Sequence, residues 1–218
     1  MSTVILCCET LEDYVDAAQK ACGTGYDVIL LDREYHAEPK DMKNYIVSVL
    51  NGLPDEADTV LFAMGLCGGS LDGITCKKRT VIPRVDDCVT LVMTTSDEFK
   101  ASTKEPGHMY LFGDGLNGFS IRSIYEKLLS DYDEETAQIV FDMYFENYRY
   151  LDVIETGIYD SRAPEFTASA REDAERIGAE LGYVPGGNLL LEKLVSGRWD
   201  GQFVVKEPGE IIKQDDFV

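Results

Sequence analysis

Val4-Ile5-Leu6-Cys7-Cys8 is a short apolar run followed by the helical spacing of Leu11, Tyr14, Val15 and Ala18. The same pair recurs when Asp27-Val28-Ile29-Leu30-Leu31-Asp32 precedes a helix with Met42, Tyr45, Ile46, Val49 and Leu50 on one face. This rhythm constrains the fold most, because a crossover of that length returns right-handed to a parallel neighbour. Thr10 and Asp41 are the expected caps of the two helices. Further strands are expected at 59–64, about 80–82, 108–112 and 150–154, and residues 89–93 fit either a strand or the start of a buried helix. Helices are expected at 120–129 and 134–148, with Tyr144, Phe145, Tyr148 and Tyr150 supplying core aromatics. In the tail a helix at 165–181, a turn at Pro185-Gly186-Gly187, a helix at 189–195 and a strand at 202–205 complete the pattern. The fold class is therefore α/β, a mainly parallel sheet with helices on both faces. With no repeat or linker in view, it reads as a single domain over 1–218 with a helical C-terminal extension.

Forty acidic residues against twenty basic give a formal charge of −20, which repels phosphate backbones and anionic lipid. Neither nucleic acid nor a membrane is expected as a partner. No apolar run approaches the length of a bilayer span, and Met1-Ser2-Thr3-Val4 lacks a basic region, so a cytoplasmic location is expected. There the six cysteines would be reduced thiols, available for metal or for chemistry.

Strand exits of a parallel sheet gather along one edge, where such sheets keep their ligand crevices. Cys8 ends the first strand, His36 follows the second, Cys67 the third and Cys88 the fourth. Three sulfurs and an imidazole suit zinc, and thiolates also hold iron–sulfur clusters, so Cys8, Cys67, Cys88 and His36 form the candidate metal set. Consecutive strand residues face opposite ways, so of Cys7 and Cys8 only one reaches the site, and Cys8 is nearer the exit. Cys22 and Cys76 read as core thiols. Gly65, Gly68 and Gly69 flank Cys67 and would let a ligand or cofactor come close. Arg84, Asp86 and Asp87 surround Cys88. They would orient ligands or meet an anionic substrate, or else form a local salt bridge. His36, Arg84 and Asp87 are the candidate catalytic side chains.

Four segments also resemble the bacterial and archaeal domain-of-unknown-function family 1638. They are Cys8 at the first strand exit, the Leu-x-x-x-x-His-x-x-Pro-like loop from Leu31 to Pro39, the turn Gly65-Leu66-Cys67-Gly68, and Pro83-Arg84-Val85-Asp86-Asp87-Cys88. The likeness extends to Ile154-Glu155-Thr156-Gly157, Gly187-Asn188-Leu189, Gly197-Arg198-Trp199-Asp200 and Pro208-Gly209-Glu210. Histidine is common in that family where this chain has Asp86. Its members tend to occur beside corrinoid-dependent methyltransferase components of anaerobic one-carbon metabolism, which implies a role in that chemistry.

Three functions follow as expectations. The first is a zinc or iron–sulfur protein of corrinoid-linked methyl transfer, acting on a small molecule or a corrinoid protein. The second is a metal-free enzyme with Cys67 as nucleophile and His36 as its base. The third is a non-catalytic accessory protein that holds a corrinoid or docks on a methyltransferase, its acidic surface suited to a basic partner. Residue pattern alone leaves the metal, the substrate and the oligomeric state open.

Overall fold

The computed structural model describes residues 2–32, 35, 38–113 and 121–218. The chain packs as two compact units, one made of the chain up to Thr103 together with Asn188–Val218, the other of Lys104–Gly187. The second unit is thus an insertion into the first, and each has its own sheet.

In the first unit the strands are β1 (Ser2–Cys8), β2 (Asp27–Leu31), β3 (Ala57–Ala63), β4 (Arg79–Pro83) and, last in the chain, β8 (Phe203–Lys206). Their order is β2-β1-β3-β4-β8, parallel except for the antiparallel edge pair β4–β8. Helix α1 (Glu12–Cys22) carries the chain from β1 out to β2, and α2 (Pro39–Asn51) carries it back past β1 to β3. Right-handed crossovers in opposite directions put those two helices on opposite faces. The reversal also makes the β1–β3 boundary the topological switch point of the sheet. Buried on both sides, β1 and β3 are near-continuous apolar runs, with Val4 through Cys8 and Val60 through Ala63 sealed from solvent. Neither expected cap serves. Thr10 lies in a 3₁₀ turn before α1, and α2 opens on Pro39 with Asp41 already inside its first turn. The ambiguous stretch after β4 is helix α3 (Cys88–Met93), because Asp87 Oδ1 accepts the Thr90 N–H at 3.0 Å and caps its start.

The inserted unit runs β5 (His108–Leu111), α4 (Ile121–Asp131), α5 (Glu134–Phe145), β6 (Tyr150–Glu155), α6 (Pro164–Arg176) and β7 (Glu180–Pro185), a parallel sheet in the order β5-β6-β7. Ile121, Phe141, Phe145, Leu151 and Ala174 form its core. The helix expected through residue 181 ends at Arg176. Gly178 takes a left-handed φ of 66°, and Glu180–Pro185 pairs with β6 as a strand. Nor are the aromatics all core: Phe145 is buried, but Tyr144 and Tyr150 face solvent. The first unit resumes with α7 (Leu189–Ser196), packed on α1. Among the described residues no helix is long and apolar enough to cross a membrane.

Tyr110, Asp152 and Gly182 lie in one row across the inserted sheet. The buried Asp152 carboxylate meets His108 Nδ1 at 2.6 Å, and its other oxygen fills the space where a side chain at Gly182 would begin. Gly182→Ala is therefore expected to displace Asp152 and lower stability by about 2 kcal/mol in urea unfolding. An unchanged midpoint would refute that role for the glycine.

Candidate thiol site

The strand order sets the site. Because β1, β3 and β4 are neighbours, the segments leaving them at Cys8, 64–69 and 84–88 are neighbours too. After β3 the chain pairs with the segment that follows β4: Leu66 N–H donates to Val85 O at 3.0 Å, and Cys67 N–H to Asp86 O at 2.7 Å. That approach is close enough to exclude any side chain at Gly65, where an added Cβ would stand 2.7 Å from both Asp87 Cα and Asp87 N. The chain then turns through three left-handed residues, Cys67 (φ 45°), Gly68 (φ 69°) and Gly69 (φ 87°). Cys67 is the one residue other than glycine with positive φ among the described residues. Such strain gathers at functional sites, where the surrounding structure holds it in place. Backbone bonds from Gly69 and Ser70 to Leu66 O supply that hold here.

The turn brings Cys67 Sγ to 4.0 Å from Cys88 Sγ, at the first residue of α3. Cys88 also interacts with the Cys8 thiol, so three sulfurs from three adjacent strand exits meet around it. Hydrogen bonds to Cys67 and Cys8, reinforced by burial, push the Cys88 thiol well above its ordinary value. Those neighbours and burial favour the protonated Cys88 thiol, and a soft cation is what would let it ionise. Cys8 and Cys88 are buried, while Cys67 is half-buried and is the accessible member. Cys8 Sγ is also 3.0 Å from Thr10 Oγ1, a partner whose signal is its place two residues after the thiol. The other cysteines stand apart. Cys7 donates to Cys8 O at 3.2 Å and burial pushes its thiol far up, Cys22 donates to Glu192 O, and burial also raises Cys76.

The remaining candidates occupy varied positions. His36 lies outside the described residues. Asp87 caps α3 with one carboxylate oxygen. Arg84 lies over the Phe99 ring at 4.1 Å and donates to the main-chain oxygen of Val218, so its planar group is stacked and directed to the tail. What comes close to Gly65 is the Asp87 backbone, an added Cβ at Gly68 would meet Pro39, and the space beside Gly69 is open. As placed, no group of three or more His, Cys, Asp or Glu side chains among the described residues is spaced to hold a metal ion.

A doubly wound unit whose β1, β3 and β4 exits each carry a cysteine defines an α/β protein with thiols gathered beside its switch point. The chain belongs to the family described as protein of unknown function (DUF1638), whose model matches residues 30–195 of the 218. That span contains Cys67 and Cys88, and Cys8 precedes it. No curated protein and no solved structure matches the chain.

Proposed function

We propose that Cys8, Cys67 and Cys88 hold a zinc ion or a corner-open iron–sulfur cluster, with His36 as a fourth ligand or a nearby acid–base group, in corrinoid-linked methyl transfer. The observation that carries the reading is the meeting of three sulfurs at neighbouring strand exits. The donor set is soft, which suits both zinc and an iron–sulfur cluster. Zinc–sulfur bonds of 2.3 Å set adjacent ligands of a tetrahedron about 3.8 Å apart, close to the 4.0 Å between Cys67 and Cys88. When bound, such a centre supplies a Lewis-acid position or an activated thiolate. The protein's part is to hold the sulfurs, keep two of them dry and leave the Cys67 side open to substrate. The methyl-transfer setting rests on the family resemblance alone.

Protein purified without oxygen is expected to carry about one zinc, or one cluster with its visible absorption, per chain. Cys67→Ser should lose most of it, and Cys22→Ser should keep it. Metal-free wild type, or full occupancy in Cys67→Ser with Cys88→Ser, would overturn the proposal. Metal-free protein in which iodoacetamide labels Cys67 well ahead of the other thiols would favour the nucleophile reading, since Cys67 is the accessible sulfur of the three.

A further inference from the structure

We propose that the outward face of α5 docks a partner protein presenting an apolar groove rimmed by lysine or arginine. Helix α5 is apolar on two sides. Ala137, Phe141 and Phe145, four residues apart, are buried, and the two phenylalanines belong to the core of the inserted unit. On the outward side Ile139 is 54% exposed and Met143 and Tyr144 are each 67% exposed, with Tyr132 half exposed just before the helix. Beside its polar strip the helix thus carries a second apolar side, surface that the packing of the inserted unit leaves wet. Ile139 and Met143 stand one turn apart, the spacing of anchors for a helix laid into a groove.

Charge selects the occupant. From Asp131 to Glu146 the sequence holds Asp131, Asp133, Glu134, Glu135, Asp142 and Glu146 and not one lysine or arginine. A second copy would bring carboxylates against carboxylates across a two-fold axis, in a chain already carrying −20. Anionic lipid is disfavoured for the same reason, because interfacial helices carry basic polar faces. A basic rim around an apolar groove satisfies both the exposed side chains and the surrounding carboxylates. This site lies in the inserted unit and is independent of any metal at the thiols.

The test uses the full chain and two labelled amphipathic peptides, one of leucine and lysine at helical spacing and one of leucine and glutamate. Fluorescence anisotropy should show the lysine peptide bound and the glutamate peptide unbound. The charge-neutral change Ile139→Ser with Met143→Ser should weaken binding by at least about tenfold while leaving the thermal melt intact. Should that variant unfold, Asp142→Asn with Glu146→Gln serves instead, and it should weaken binding and flatten its salt dependence. Equal binding by wild type and by whichever variant folds would mean that the peptide binds elsewhere on the chain. A wild-type dimer in sedimentation that the serine variant converts to monomer would assign the face to a second copy. Either result overturns the proposal.

Discussion

Gly65→Ala is expected to destabilise the protein by about 3 kcal/mol and to dismantle the thiol cluster. The added methyl group would stand 2.7 Å from two backbone atoms of Asp87, which cannot turn aside as a side chain would. Asp87 is itself held by capping α3, so relief must come from pulling the two segments apart. That separation breaks the bonds from Leu66 to Val85 and from Cys67 to Asp86, and with them the approach of Cys67 to Cys88. Gly69→Ala is the contrast, since no atom lies within 4 Å of its added Cβ and only its φ of 87° resists the change. It should cost about 1 kcal/mol and leave the thiols together. Urea unfolding measures the two losses, and capture by a dithiol-specific arsenical measures whether the sulfurs still pair. Wild-type stability and capture in Gly65→Ala would disprove this account of the turn.

The second large effect is an asymmetry around Lys193, which is 2% exposed on α7. Its ammonium donates to Asp97 at 2.9 Å, to Asp200 and to Gln202. Burial works against the charge of Lys193, but the bonds to Asp200 and Asp97 outweigh it, and the group titrates above its ordinary value. Burial likewise works to raise Asp200, and the bonds from Lys193 and the Gln202 N–H outweigh it, leaving this carboxyl below the usual range. Asp200→Ala leaves the ammonium sealed with one carboxylate fewer and should cost about 3 kcal/mol. Lys193→Met leaves two solvent-exposed carboxylates that simply rehydrate, and it should cost about 1 kcal/mol. The pH dependence follows from the directions of shift. A lowered carboxyl contributes stability above its unfolded value and loses it as pH falls through the folded one, so the deficit of Asp200→Ala should be constant near neutrality and vanish in strong acid. Lys193, with its value raised, contributes below its unfolded value and loses the contribution as pH rises through the folded one. Denaturant titrations across pH check both, and a Lys193→Met loss larger than that of Asp200→Ala would contradict the scheme. Gln202 extends the network, since its side chain donates to Ser96 and Glu98 while its carbonyl accepts the Arg84 N–H at 2.7 Å. The segment that carries Cys88 is therefore braced by residues more than a hundred positions away in the chain.

Several local features could be read directly from residue order. Alternating faces along β1 separate Cys7 from Cys8, so that Cys8 interacts with Cys88 while Cys7 bonds its neighbour's carbonyl. Glycine at 68 and 69 marks a left-handed turn. Where reading failed, a distant partner or a local stop had the last word. Thr10 is taken by a thiol instead of a helix end. Asp87 looks like an acid beside a cysteine and acts as a cap, and Gly178 ends a helix whose apolar spacing runs on into β7. Tyr144 follows the periodicity of a core residue yet lies on the outward side of α5, because spacing does not reveal which of two apolar sides will be covered.

Sequence by itself determined the class of fold, the positions of nearly all strands and helices, and the fact that thiols follow the first, third and fourth strands. These depend on periodicity and on backbone preferences that act over a few residues. Tertiary structure alone decided that β1, β3 and β4 are neighbours, that residues 104–187 form a separate inserted unit, and that Gly65 exists to admit a backbone. Those outcomes depend on contacts between segments far apart in the chain, whose distances are set when crossovers close and side chains pack. A string of residues contains the donors, and only the order of the strands makes them meet.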